Sequence, residues 1–242
     1  MDPYERAEAF IDAVADRSLV VGNLRCLAVC HYAHGAMAAA RGDAEAAARS
    51  LDAAVELNER IGSPAGVAYA LATRAELRTV AGDLDGGWQD VLRGLDASGR
   101  ASIRDHCLMS NQAAGIQNRV QAGDLERAAS LVRDALAADD EAGPCFICRP
   151  ELYAAVASFH LAAGGQEEAA EWIERAVVLA EQGEYRPGVA GALLVRGRIE
   201  AARGEPERAR DSLQRAAEIF GELGHEADVS RTRDVLAALP TH

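Results

Sequence analysis

Apolar residues along this chain fall three and four positions apart, with charged residues filling the gaps. In the stretch LERAASLVRDALA the apolar set is Leu125, Ala128, Ala129, Val132 and Leu136. That spacing makes one face of an α-helix. No segment keeps up an alternation of period two, so the pattern predicts helices and no sheet.

Glycine punctuates the helical segments at a nearly fixed interval. Gly42, Gly82, Gly123, Gly164 and Gly204 are 40, 41, 41 and 40 residues apart, each between two amphipathic segments. Five positions later stands Ala47, Gly87, Ala128, Ala169 or Ala209. Nine positions later the residue is always aliphatic: Leu51, Val91, Val132, Ile173 and Leu213. Twelve positions later stands Ala54, Gly94, Ala135, Ala176 or Ala216. A period of this size marks stacked helical pairs. Gly-Asp at 42–43, 82–83 and 123–124 reads as a turn in which Gly ends one helix and Asp caps the next. Gly62, Gly143, Gly183 and Gly224 read as the ends of second helices.

Seven positions before the turn sit Gly35, Ala75, Ile116, Ala157 and Gly197. Small residue, turn glycine, alanine, large apolar residue and alanine, in this order and phase, resemble the tetratricopeptide repeat. The resemblance implies an all-α, right-handed helical solenoid of about twelve helices. Its register gives repeats at 24–62, 63–103, 104–144, 145–184 and 185–224. Residues 1–23 align with a second helix and linker, and 225–242 with a first helix. These end helices read either as caps or as cut edges of a larger array. The period exceeds the family's usual one, which implies longer helices. Gly86 and Gly87 in one second helix should weaken it by ~1 kcal/mol each relative to Ala. Phrases such as GDLERAASLVRDAL are also similar to repeat regions of large bacterial transcription regulators and cyclase-linked ATPases. That similarity implies a regulatory scaffold or sensor.

Composition then narrows the function. The net charge is −13, and all 25 basic residues are arginine. This balance argues against nucleic acid and against anionic lipid. No apolar run approaches the ~20 residues that span a bilayer. The first residues, MDPYERAEAF, are acidic and amphipathic rather than a secretory signal. Five cysteines without such a signal fit a reducing cytoplasm. Abundant Ala and Gly suggest a bacterial source.

Cys145 and Cys148 have metal-ligand spacing, and His106-Cys107 offers two further ligands. The register supplies a counter-reading. Sixteen positions before the turn glycines stand Cys26, Gly66, Cys107, Cys148 and Gly188, whose common property is smallness. Packing is therefore the favoured role, with a metal or redox switch through Cys145 and Cys148 as the alternative. Only Cys145 lacks the packing explanation. We expect no cofactor and no stoichiometric metal. His31 and His34 share a helix face and read, like His160, as ordinary surface histidines. No nucleophile elbow, catalytic triad or phosphate loop is present, so an enzyme is not expected.

The first helices of the family line a concave face. Register positions 13, 10 and 6 before the turn carry that role over to Tyr32, Tyr69, Glu76, Gln117, Ser158 and Arg198. Most other residues in those rows are small, among them Ala72, Ala113 and Ala154. In the third repeat Asn111, Gln112 and Asn118 replace apolar residues. Buried amides demand partners, so they bond backbone or meet a ligand, the first being favoured. The expected function is a protein–protein interaction scaffold that takes a protein or peptide segment along these helices. The alternative is a repeat domain that senses a small-molecule effector.

Overall fold

The computed structural model describes residues 3–139 and 145–240. It holds twelve helices and, among the described residues, no strand. These are α1 (Pro3–Val21), α2 (Leu24–Arg41), α3 (Ala44–Arg60), α4 (Pro64–Val80), α5 (Leu84–Gly99) and α6 (Arg104–Gln121). There follow α7 (Leu125–Asp139), α8 (Cys148–Ala162), α9 (Gln166–Gln182), α10 (Arg186–Ala202), α11 (Pro206–Glu222) and α12 (Glu226–Ala237). Gly143 lies outside the described residues. Tertiary contacts divide the chain into two compact units, one up to Asn111 and one from Gln112, with the boundary inside α6.

The turn signals act as their chemistry requires. All five turn glycines are left-handed; Gly42, at φ 85°, donates its N–H to Ala38 and Ala39 carbonyls at the end of α2. The next residue opens the following helix. The Asp43 carboxylate accepts from Ala46 N–H at 2.9 Å, Asp83 from Gly86 at 3.0 Å and Asp124 from Arg127 at 3.1 Å. Each satisfies one orphan donor of a helix start. Gly165 and Glu205 hold the same position without a side-chain cap.

One expected stop is displaced. Gly183 is not left-handed; the left-handed residue is Glu184, at φ 52°. Glu184 stands twenty positions after Gly164, as Gly62 stands after Gly42 and Gly224 after Gly204. Gly183 is needed for a different reason: a Cβ there would lie 2.3 Å from Phe146 Cβ.

In unit one, α2 pairs with α3 and α4 with α5. Leu51, Leu71 and Val91 are fully buried. Gly35 lets α2 approach α3, since a Cβ there would meet Leu51 Cγ at 2.7 Å. Helix α1 packs on α2. By register, Ala7, Ile11 and Val14 match Ala47, Leu51 and Ala54, which are 0 % exposed. On α1 none of the three is buried, and Phe10 beside them is 70 % exposed. The apolar stripe that other second helices cover is therefore open.

In unit two, α8 pairs with α9 and α10 with α11, around Ile173, Leu193, Ile199 and Leu213. Gly197 meets Leu213 as Gly35 meets Leu51; a Cβ there would lie 2.6 Å from Leu213 Cγ. Helix α12 packs on α11 through buried Val229 and Thr232. Its Arg233, forty positions after fully buried Leu193, is exposed. This helix thus turns a charged residue outward where α4 and α10 carry buried Leu71 and Leu193.

Candidate functional site

The first-helix rows divide into inward and outward positions. In unit one, Ala72 is buried, Tyr32 and Tyr69 are half-buried, and Glu76 is exposed. Both tyrosine rings rest on the cluster formed by Val67, Ala68, Leu71 and Cys107. The Thr73 hydroxyl donates to Tyr32 Oη at 3.4 Å. In unit two, Ala113, Ala154 and Leu194 are buried, whereas Gln117 and Arg198 are exposed. Positions 10 before the turn are thus mostly core, and the outward rows are those 13 and 6 before it. Ser158 is half-buried and donates to Ala154 O of its own helix at 2.9 Å.

Charge on the outward rows of unit two is not evenly spread. Arg198 is exposed and has no carboxylate partner among the described residues. Partial desolvation, and then the nearby charge of Arg231, hold its guanidinium below the ordinary arginine range. Arg231, on α12, pairs with Asp228. Burial pushes the Asp228 carboxyl up, but His225 and Arg231 outweigh it and leave that carboxyl below its ordinary value. In the row 13 before the turn, Glu151 accepts from Tyr185 Oη at 2.7 Å. Burial raises the Glu151 carboxyl despite that bond. Arg231 was not anticipated from sequence. Extending the register past the last turn glycine would have placed it in the row 13 before a turn.

Among the amides of the third repeat, the Asn111 Nδ2 follows the structural reading, whereas the side-chain oxygens of Asn111 and Gln112 are buried without a hydrogen-bond partner among the described residues. Asn111 is fully buried and its Nδ2 donates to Cys107 O at 2.9 Å, Ala68 O at 3.1 Å and Ser98 Oγ at 3.3 Å. Gly94 makes the room: a Cβ there would lie 1.8 Å from Asn111 Oδ1. The Asn118 carbonyl accepts from Arg119 Nε at 2.9 Å, both residues being buried.

Other polar groups are tied up internally. Arg74, with a side chain 9 % exposed, grips Asp90 in a bidentate pair at 2.8 and 2.6 Å. It also reaches Asp52 at 2.5 Å. An open cleft of about 780 Å³ in unit one lies among α1, α2 and α3. His34 pairs with Asp12 at 3.1 Å and Arg41 with Glu8 at 2.8 Å along its wall. Burial, and then His34, depress the pKa of His31 in the same wall.

The cysteines separate into two kinds. Cys107 is fully buried, and burial pushes its thiol up to about 11, so it belongs to the core. Cys148 opens α8 at the small position predicted for packing, 5 % exposed. Cys145, 8 % exposed, accepts from the Cys148 N–H through its Sγ at 3.1 Å.

Comparison with known proteins gives the fold. No protein-family model and no curated protein matches the chain. Among solved structures, that of BtubC (BKLC) from P. vanneervenii is similar, with a TM-score of 0.62 and 14% identity. The alignment covers 100% of this chain and 95% of that one. The chain therefore has a tetratricopeptide-like all-α fold of sequential antiparallel helix pairs. No helix among the described residues is long and apolar enough to cross a membrane.

Proposed function

We propose that the chain is a non-enzymatic interaction module that binds a protein or peptide segment along its first helices, within a bacterial cytoplasmic regulator. The division into five repeats between residues 24 and 224 is part of this reading. The observation that carries it is Arg198, an exposed cation without a carboxylate partner among the described residues, beside Arg231 in a chain of net charge −13. Such a site favours a segment carrying a carboxylate, because a bidentate guanidinium contact would relieve the repulsion between the two arginines. Gln117 and Ser158 are the neighbouring contacts on unit two. Tyr32, Tyr69 and Glu76 form a separate proposed contact set on unit one.

The test begins with capture of partners on the intact chain, followed by titration of the captured segment. Arg198→Ala should weaken binding by ~1–3 kcal/mol, the range for an arginine anchor. A segment that binds the Arg198→Ala chain unchanged, yet is lost on changing exposed Glu168 of α9, would place the interface elsewhere. A second reading rests on the unit-one cleft, whose size suits a small-molecule effector. A metabolite seated there should raise the melting temperature by mass action, and less so in His31→Ala.

A further inference from the structure

We propose that Cys145 and Cys148 form a dithiolate chelate for a thiophilic metal ion of the zinc or monovalent-copper class. Their sulfurs lie within 4.8 Å of each other and are not joined in a disulfide. Two thiolates on one tetrahedral ion stand about 3.8 Å apart at the usual metal–sulfur distance, and a more linear arrangement widens this only modestly. The pair therefore needs a side-chain adjustment and no refolding. Both side chains are more than nine-tenths buried, which limits competition from water. Thiolate sulfur selects soft ions over calcium or magnesium.

A hydrogen-bond donor and a cation stand beside the pair. The Cys148 N–H already points at Cys145 Sγ, and the positive end of α8 faces the same sulfur. The guanidinium of Arg149, anchored on Asp139 at 2.5 Å, adds positive potential at Cys145. Phe146, seated on Gly183, fixes the loop between the two ligands.

Packing accounts for Cys148 but not for Cys145. Position 145 is equivalent to Asn23, Ser63 and Tyr185, the N-cap residues of α2, α4 and α10, of which Asn23 caps with its side chain and Ser63 and Tyr185 do not. Asn23 accepts from Cys26 N–H at 3.1 Å, as Cys145 does from Cys148. Oxygen-bearing side chains are the preferred caps, and cysteine is not among them. What cysteine adds at this position is a second sulfur beside Cys148.

The test uses the full chain, reduced and metal-free, titrated anaerobically with cobalt(II) and zinc in one arm and monovalent copper in the other. One equivalent should bind, with thiolate-to-cobalt charge-transfer absorption or a competed copper chromophore as readout. Cys145→Asn keeps a capping acceptor and removes the ligand. It should retain the helical signal and melting temperature yet lose no less than the roughly tenfold affinity that follows loss of an outer-shell partner. Cys148→Ser should lose as much, whereas Cys26→Ser with Cys30→Ser should bind normally. Binding in one arm only supports the chelate and names its ion. Affinity unchanged in Cys145→Asn, or no binding in either arm, overturns it.

Discussion

Gly35 and Gly197 stand seven residues before their turns and face Leu51 and Leu213, nine residues after them. Where that second position is β-branched instead, the first is larger than glycine: Ala75 with Val91, Ile116 with Val132 and Ala157 with Ile173. A Leu side chain fills the space that an alanine methyl would otherwise take. Gly197→Ala should therefore destabilise unit two by ~1–3 kcal/mol, the usual cost of overpacking. Adding Leu213→Val should recover part of that loss, a coupling that urea denaturation of the four-member cycle would measure. Additive effects would show that the glycine is there for another reason. The repeated small and aliphatic positions were legible in the sequence because they recur in every unit. The Arg74–Asp90 pair was not, because only its arginine recurs: in the fifth repeat Arg196 meets Ser212 in place of the aspartate, at 3.1 Å. The pair's register positions are Val156 and Trp172 in another repeat, and lone charges in a helical pattern look like surface. Its burial depends on a partner sixteen residues away.

At the scale of helices, the capping logic was legible wherever a Gly-Asp turn occurs, and it slipped by one residue at the end of α9. A glycine near a helix end reads as a stop, yet Gly183 serves contact with Phe146 and the left-handed task falls to Glu184. A side chain there costs roughly 1–2 kcal/mol relative to a right-handed residue, a cost glycine avoids. Glu184 is exposed, so Glu184→Gly should raise the melting temperature, while Gly183→Ala should lower it by displacing Phe146. The link between α8 and α10 is pH-sensitive in a defined direction. Burial holds the Glu151 carboxyl above its unfolded value, so the folded chain prefers it protonated. The associated stability is fully present below the unfolded pKa of about 4.3 and is lost as pH rises through the folded one. Glu151→Gln should accordingly stabilise the chain near neutrality, with the advantage vanishing below about pH 4. A pH-independent difference between the two melting curves would contradict this account.

Over the whole molecule, the fold class was the most legible property, because a pattern repeated in phase survives the failure of any single position. The candidate surface was less so. Register alone gave the rows but not which of them face outward, and Tyr32 and Tyr69 turn out to lean on the core. Arg198 stood out in sequence only as a large residue among small ones; the proximity of Arg231 required the fold. Ion pairs between second helices repeat in both units. Glu59 with Arg93, and Glu181 with Arg215, are each separated by 34 residues, at 2.8 and 3.0 Å. Being exposed they add little to stability, and their recurrence reflects register more than energy.

The open stripe on α1 makes that helix the least expensive part of unit one to melt. Elsewhere a second helix opens only by exposing fully buried residues such as Leu51 and Ala54, whereas Ile11 and Val14 are only half-buried. Opening of α1 then breaks chiefly its contact with α2 and the Glu8–Arg41 and Asp12–His34 pairs. Amide hydrogens of α1 should exchange first, through a local excursion well below the global unfolding free energy, and those of α4 and α5 last. Uniform protection from α1 to α5 would mean that unit one opens only as a whole. A graded profile would make α1 a reversible flap, one whose closing could be read residue by residue in exchange time.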